Sequence, residues 1–259
     1  MSEPISQSEG YVQVDQQDGV ATVTFHHPKS NSLPGTILRK MATSIQDAGN
    51  DPSTRVIVLR SEGSKAFCAG ASFDELLAID SEARGKEFFS GFALVINAVR
   101  TVPCFVIGRV HARTVGGGVG LAAACDICYA HESASARLSE LAIGIGPFVV
   151  GPAVERKVGR SAFAAMSMTP SKWRTSSWCA EHGLYAEVFS LHAELDNAVD
   201  AHARELAAYS PEAMSALKQV IWRGTEDWEG LLDERAAMSG RLVLSEHTRQ
   251  AIDRFRSER

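Results

Sequence analysis

The sequence predicts an α/β fold with a parallel sheet, followed by a C-terminal helical region. Two short apolar runs, Val-Ile-Val-Leu at 56–59 and Cys-Phe-Val-Ile at 104–107, are typical of strands buried on both faces. Each run is followed by a loop that opens into a helical pattern, and this order repeats along the chain. Helical patterns dominate from residue 160 to the end. These features together favour a sheet core that carries helices at its C-terminal side.

The N-terminal part begins with a predicted β-hairpin. Residues 11–14 and 20–25 have strand composition, and they flank Asp18-Gly19, a dipeptide typical of tight hairpin turns. A helix is predicted over residues 35–48, because Ile37, Met41 and Ile45 recur at fourfold spacing on one face. The first buried strand, at 56–59, follows this helix.

Two glycine-containing loops occupy the middle of the chain. After the strand at 56–59, residues 61–76 are predicted to form a loop that opens into a helix, and a second helix follows near 86–100. After the strand at 104–107 come a glycine cluster, a short helix and a further strand at 126–130. Each of the two loops therefore lies between a buried strand and a helix.

The C-terminal region starts with a composition shift near residue 195, which predicts a core at 1–194 and a helical region at 195–259. Ser210-Pro211-Glu212 predicts a helix start, with an N-cap, a proline in the first turn and an acidic residue. Two apolar stripes predict buried helix faces. The first stripe contains Met214, Leu217 and Ile221, and the second contains Leu232, Ala236, Ser239 and Val243.

Composition and charge exclude several classes of protein. The 259 residues include 31 acidic and 26 basic ones, so the net charge of −5 disfavours a nucleic-acid-binding protein. The sequence holds no apolar run long enough to predict a membrane span. Residues 1–10 are polar and lack the pattern of a secretory signal, so we expect a cytoplasmic protein.

The cysteines do not indicate a disulfide framework or a metal site. The chain has five of them, and an odd number in a long chain does not suggest paired thiols. Cys125 and Cys128 are three residues apart, but no second pair or histidine pair completes a zinc site. His26-His27 likewise has no metal-like partner pattern. We therefore expect buried, unmodified thiols and no metal.

The most informative motif is the glycine cluster at 116–120, where only Val119 is not glycine. A dinucleotide site is disfavoured, since Leu121 occupies the third glycine position of that fingerprint. Close packing of a helix on a sheet is a second interpretation. A third is an oxyanion hole, in which amides of two loops polarise one carbonyl, and the second loop at Gly70 favours it.

The chain resembles the crotonase, or enoyl-CoA hydratase/isomerase, superfamily from about residue 12 to residue 187. No single motif is specific, but their order and spacing are. The motifs are Asn31-Ser32-Leu33, the segment from Asp51 to Leu59, Phe67-Cys68-Ala69-Gly70-Ala71-Ser72-Phe73, Gly116-Gly117-Gly118, Cys125-Asp126-Ile127 and Gly183-Leu184.

The resemblance implies a ββα spiral core and a coenzyme A thioester as substrate. The thioester carbonyl would bind the amides of Ala71 and Gly117. Ser72 stands where the family usually has an acid, which alters local polarity more than the backbone donor. The residues implied in substrate and coenzyme A binding are Ala69, Gly70, Ala71, Ser72, Phe73, Asp74, Gly116 and Gly117.

The resemblance also implies a single catalytic acid. Hydratases of the family carry two glutamates; this chain has Gly120 at the first position and Glu140 at the second. Phe148 replaces a glycine that helps hold water in hydratases, so we expect a narrower and drier pocket. Apolar neighbours of Glu140, namely Leu138, Leu141 and Ile143, would raise its pKa.

We therefore expect an acyl-CoA-processing enzyme of the hydratase/isomerase type, a lyase or isomerase acting in fatty acid metabolism, with Glu140 as acid and base. A double-bond isomerase, an acyl-CoA hydrolase and a non-catalytic acyl-CoA-binding protein are the alternatives. Coenzyme A would enter only as part of the substrate, without a permanent cofactor, nucleic acid or membrane partner. The resemblance implies a homotrimer or a dimer of trimers, with trimer contacts from residues 195–259. His111 is expected to be a packed loop histidine, and Arg113 a surface charge rather than a guide for an acidic acyl group.

Overall fold

The computed structural model describes residues 10–257. Its strands are β1 (Tyr11–Gln17), β2 (Val20–His26), β3 (Ser32–Leu33), β4 (Val56–Ser61), β5 (Ala66–Cys68), β6 (Gly70–Ala71), β7 (Phe105–Val110), β8 (Arg113–Val115), β9 (Ile127–His131), β10 (Ala136–Arg137) and β11 (Glu187–Phe189). Its α-helices are α1 (Gly35–Asn50), α2 (Phe73–Leu77), α3 (Glu82–Thr101), α4 (Gly117–Ala124), α5 (Gly151–Val158), α6 (Arg160–Met168), α7 (Ser176–Glu181), α8 (His192–Ala207), α9 (Pro211–Ile221), α10 (Trp228–Leu242) and α11 (Glu246–Ser257). A 3-10 helix covers Glu140–Ile143. The predicted N-terminal pattern falls at residues 1–10, of which 1–9 lie outside the described part.

The main sheet confirms the α/β prediction. Its strand order is β1-β2-β4-β7-β9-β11, and every pair is parallel except the β1–β2 hairpin. The predicted hairpin turn is present, with positive φ at Asp18 (51°) and Gly19 (80°). In β4, Ile57 and Leu59 belong to the large core, whereas Val56 and Val58 pack with residues of α8. Both faces of the strand are covered, which explains its continuous apolar run.

Two small sheets connect the loops that carry the predicted site. One has the order β10-β8-β5, and the other pairs β3 with β6 in parallel. Asn31 precedes β3 and is almost fully buried. Its side-chain amide donates to the carbonyls of Glu62 and Ala66, and its side-chain oxygen accepts from the amide of His27. The Asn31 motif therefore fixes the loop that leads to Gly70.

The C-terminal helices cover the core rather than extend away from it. On α10, the predicted stripe of Leu232, Ala236, Ser239 and Val243 is buried, as expected. Helices α3 and α10 approach closely at one point, because an ideal Cβ on Gly85 would lie 2.7 Å from the Cα of Gly240. The predicted boundary between residues 194 and 195 falls inside α8 and stays a prediction. Within residues 10–257, no helix has the length and apolar content of a membrane span.

The stripe predicted on α9 is wrong. Met214 is buried, but Leu217 and Ile221 are 52% and 43% exposed. The buried face instead carries Lys218, whose ammonium donates to the carbonyls of Val99 and Cys104 and pairs with Asp126 at 3.0 Å. A buried lysine is tolerated here because carbonyls and a carboxylate satisfy its charge. Apolar periodicity alone cannot reveal such an arrangement.

Candidate active site

One cavity of about 830 Å³ holds most of the predicted site residues. It lies between the β6–α2 segment, the start of α4, helix α3 and the 3-10 helix. The residues of the predicted site that line it are Ala69, Gly70, Ala71, Phe73, Asp74, Gly116, Gly117 and Glu140. Aromatic and aliphatic side chains form much of the remaining wall, namely Leu76, Phe88, Phe89, Phe92, Ile143, Ile145, Phe148, Val149 and Val150.

The two glycine loops meet at this cavity. Gly70 has a φ of +92°, and an ideal Cβ there would lie 3.2 Å from the carbonyl oxygen of Val115 and 3.9 Å from the amide nitrogen of Gly117. Only glycine allows this conformation and this approach at low cost. Ala71 and Gly117 are thereby brought to the same wall of the cavity. This juxtaposition is what two amide donors to one carbonyl require.

Gly117 begins helix α4. The first amides of a helix have no intrahelical partner, and the helix dipole is positive at this end. The preceding Gly116 is anchored, since its amide donates to the carbonyl of Arg137 at 2.8 Å. The ring of Phe92 lies against Gly117, where an ideal Cβ would be 2.3 Å from the Cζ. The start of α4 is therefore held in place and closed to any side chain.

Glu140 lies directly beside the glycine cluster. Its Oε1 is 3.1 Å from the position of an ideal Cβ on Gly116. Its Oε2 is buried and has no hydrogen-bond partner among the described residues. Burial raises the pKa of Glu140 to about 7, and hydrogen bonds from backbone amides oppose the shift. A group with this pKa exchanges protons readily near neutral pH.

The neighbours of Glu140 differ in part from expectation. Leu138 is buried, but Leu141 is 51% exposed and does not shield the carboxylate as predicted. Leu141 belongs to the short 3-10 helix that begins at Glu140, so its side chain points outward while Glu140 points inward. The direction of the predicted pKa shift nevertheless agrees with the structure.

At Gly120, where the resemblance implies the first acid of hydratases, another side chain fills the space. An ideal Cβ on Gly120 would lie 2.4 Å from the Cγ1 and 2.6 Å from the Cβ of Val150. No side chain fits at residue 120 unless Val150 moves. Phe148 lines the cavity and folds its ring over Gly146, whose ideal Cβ would be 2.4 Å from the Cζ. Phe148 and Val150 thus give this side of the cavity an apolar surface.

Ser72 and Asp74 have different surroundings from the other predicted binding residues. The Ser72 hydroxyl accepts from the amide of Glu75 as the N-cap of α2, and Ser72 is not among the residues lining the cavity. Asp74 lies at the exposed mouth and forms an ion pair with Lys29. The Lys29 ammonium holds the pKa of the Asp74 carboxyl below its usual value.

The remaining candidate residues lie outside the cavity. His111 is buried outside the cavity near His192, and burial lowers its pKa to about 4, so it is the expected packed histidine. Arg113 is exposed, as expected. Cys125 and Cys128 are buried free thiols. Among residues 10–257, no group of three or more His, Cys, Asp or Glu is placed to hold a metal ion.

Sequence reasoning missed part of the cavity wall. Arg137 and Lys29 line the cavity although neither was singled out. The aromatic residues of α3, Phe88, Phe89 and Phe92, were also missed. Arg137 precedes Glu140 by three residues, so its nearness to the site could have been noticed. No local signal indicates that α3 turns these rings toward the loops.

Comparisons with known proteins point to one family. The model of the family described as "Enoyl-CoA hydratase/isomerase" matches residues 15–259. A "Probable enoyl-CoA hydratase" of Bacillus subtilis is 27% identical over 93% of both chains. A peroxisomal Delta(3,5)-Delta(2,4)-dienoyl-CoA isomerase of Arabidopsis thaliana is 26% identical over 86% of this chain and 84% of its own.

A solved structure supports the fold. The crystal structure of enoyl-CoA hydratase from Bacillus halodurans superposes with a TM-score of 0.87, covering 94% of this chain and 99% of its own, at 20% identity. A likeness at that identity shows the fold alone. The family model, in contrast, matches almost the whole chain. The chain therefore belongs to the enoyl-CoA hydratase/isomerase family of the crotonase superfamily and is an acyl-CoA-processing enzyme of that type.

Proposed function

We propose that this enzyme moves a double bond within an enoyl-CoA thioester, with Glu140 as the single acid and base. One observation carries the proposal: the Glu140 carboxylate lies beside Gly116 with a buried Oε2 that no described residue contacts through a hydrogen bond, while Val150 closes the position of a second acid at Gly120. One carboxylate is enough to carry a proton between two carbons. Adding water requires a second group that positions the water.

The amides of Ala71 and Gly117 would accept the thioester carbonyl. When the α-proton leaves, negative charge develops on that oxygen, and two fixed N–H donors stabilise it. Removing one such donor typically costs about 3 kcal/mol of transition-state stabilisation. The apolar wall of the cavity strengthens these hydrogen bonds, because it lowers the local dielectric.

Glu140 would then act twice in one turnover. As a carboxylate it removes the proton from C2 of a 3-enoyl thioester, and the electron pair of the broken C–H bond passes into the enolate. The electrons of the dienolate then form a C4–H bond with the proton of the Glu140 carboxylic acid, and the double bond lies between C2 and C3. Atoms and charge balance, since product and substrate are isomers. A pKa of about 7 makes both protonation states accessible.

Hydration and hydrolysis are the competing reactions. Hydration would need a water held opposite Glu140, where Phe148 and Val150 contribute apolar surface. Hydrolysis would need Glu140 to activate a water that attacks the thioester, with release of free coenzyme A. A protein that only binds acyl-CoA would keep the glycine loops without turnover. Hydration and hydrolysis give distinct products and binding alone gives none, so one assay separates the three alternatives.

The test is a substrate panel of 3-enoyl-CoA, 2-enoyl-CoA and saturated acyl-CoA. We expect conversion of 3-enoyl-CoA to 2-enoyl-CoA, reduced by at least about 100-fold in Glu140→Gln. Glu132→Gln, the same substitution at an exposed position, is the matched control. A 3-hydroxyacyl product, free thiol, or binding without turnover would each contradict the proposal.

Other expectations stay predictions. The homotrimer or dimer of trimers, the cytoplasmic location and the absence of a permanent cofactor rest on the sequence and the resemblance. In the proposed reaction, coenzyme A enters and leaves as part of the thioester.

A further inference from the structure

Arg137 is a cation placed on the wall of the proposed active site. It ends strand β10, three residues before Glu140, and it lines the cavity. Its carbonyl accepts the amide of Gly116 at 2.8 Å, which ties its backbone to the residue preceding Gly117. The guanidinium can therefore lie no farther than one side-chain length from the loop that would hold the thioester carbonyl.

None of the described residues neutralises this cation. No described carboxylate forms an ion pair with Arg137. Its buried Nε has no hydrogen-bond partner within residues 10–257. Burial lowers the pKa of Arg137, and the positive charge of Arg113 lowers it further. A partly buried guanidinium without an acceptor is unfavourable, because ionised groups removed from water are normally paired.

A packing role explains only part of this arrangement. The Cζ of Arg137 lies 4.5 Å from the ring centre of Trp173, and that of Arg113 lies 5.5 Å from the same ring. Stacking on an indole orients a guanidinium and is modestly favourable. The indole ring supplies no oxygen acceptor for the N–H groups at the edge of the planar Arg137 guanidinium. The edge of Arg137 thus remains available to a ligand.

The complementary ligand is an anionic oxygen group, which the planar guanidinium binds in a bidentate manner. An acyl-CoA offers two sources: the phosphates of coenzyme A and a carboxylate on the acyl chain. The phosphates lie beyond the whole pantetheine arm from the thioester. A carboxylate on a short acyl chain lies only a few bonds from the thioester, which matches the position of Arg137 beside Gly116.

We propose that Arg137 binds a carboxylate carried by the acyl group, so that the preferred substrates are coenzyme A thioesters of dicarboxylic acids. This inference rests on the proposed function, since it assumes that the thioester carbonyl lies at Ala71 and Gly117. Arg137 then determines specificity and takes no part in proton transfer. The apolar wall holds the chain of the acyl group, and the guanidinium binds its end.

The test measures binding in the Glu140→Gln background, where turnover does not interfere. Calorimetry compares glutaryl-CoA with pentanoyl-CoA, which has the same chain length without the second carboxylate. We expect tighter binding of glutaryl-CoA and a loss of about 10- to 100-fold of that preference in Arg137→Gln. Glutaryl-pantetheine, which lacks the phosphates, should show the same loss.

Arg113→Gln is the matched control, because Arg113 contacts the same indole but does not line the cavity. It should keep the preference. Arg137→Lys retains the positive charge without the planar guanidinium and should keep part of the preference for glutaryl-CoA. A folding defect limited to the glutamine variant would not produce this graded result.

Equal weakening of glutaryl-CoA and pentanoyl-CoA, with no effect on glutaryl-pantetheine, would assign Arg137 to the phosphates and overturn the proposal. An unchanged preference in Arg137→Gln would also overturn it. Failure of the isomerase assay with the binding preference intact would overturn the reaction but not the role of Arg137.

Discussion

The two halves of the glycine cluster have different roles. Gly116 and Gly117 line the cavity, and Gly116 lies 3.1 Å (ideal Cβ to Oε1) from the carboxylate of Glu140. Gly118 and Gly120 are buried. An ideal Cβ would lie 2.4 Å from the carbonyl oxygen of Cys68 at Gly118, and 2.4 Å from the Cγ1 of Val150 at Gly120. The first half therefore lines the candidate site, and the second half lets helix α4 pack tightly.

This difference shows that one sequence motif can combine opposite energetic effects. Close packing at Gly118 and Gly120 contributes dispersion contacts to the core. The buried carboxylate beside Gly116 reduces stability at neutral pH, because burial opposes its ionisation. The proposed proton transfer requires the Glu140 carboxylate despite its cost to stability. Substitutions in the first half should thus reduce activity, and those in the second half should reduce stability.

The largest effect is expected from Gly116→Ala. Its φ of +53° disfavours a side chain, and the added methyl group would contact Glu140. Strain at residue 116 would displace the adjacent Gly117 amide, so we expect kcat/KM for isomerisation to fall about 100- to 1000-fold, the range seen when an oxyanion donor is lost. Gly159→Ala is the control, since φ there is +79° but nothing lies within 4 Å. Equal losses in both variants would assign the effect to backbone strain alone.

The second prediction concerns the packing half. Gly120→Glu should lower the free energy of unfolding by at least about 3 kcal/mol, because the side chain collides with Val150. Val150→Gly, added to Gly120→Glu, should recover part of this loss and allow detectable hydration of 2-enoyl-CoA. Urea denaturation and 3-hydroxyacyl-CoA formation provide the measurements. If Gly120→Glu alone folds normally and hydrates the substrate, Val150 does not close this position.

The third prediction tests the cost of the buried carboxyl. The pKa of Glu140 is raised in the folded state from 4.5 to about 7, so its contribution to stability is present below pH 4.5 and lost as pH rises through 7. Between pH 5 and pH 8 the wild type should lose about 2 to 3 kcal/mol relative to Glu140→Gln. Denaturation midpoints of both proteins at the two pH values measure this. A constant difference would show that Glu140 ionises normally.

The smallest effect is expected in the pH profile of the reaction. The base form of Glu140 accumulates as pH rises through about 7, so kcat/KM should increase about tenfold per pH unit below 7 and level off above it. Initial-rate assays with 3-enoyl-CoA from pH 5 to above pH 7 give the pH dependence of kcat/KM. A plateau that extends down to pH 5 would exclude a base with this pKa.

Local signals in the sequence predicted many elements correctly. Asp18-Gly19 forms the hairpin turn, and Ser210 caps α9 by accepting the amide of Ala213. The stripe on α10 is buried as its spacing predicts. These succeed because the interactions connect residues close in the chain. The stripe on α9 failed because Lys218 finds partners on α3 and at Cys104, more than a hundred residues away.

The sequence by itself determined the class of the fold and the family, and it supplied Glu140 as the candidate acid. Periodicity, turn residues and motif order suffice for these, since each depends on local spacing. Only the tertiary structure decided that Gly70 approaches Gly117, that Val150 fills the space at Gly120 and that Arg137 lines the cavity with no counterion among residues 10–257. Those features depend on contacts between distant segments, which residue order does not reveal until the chain is packed.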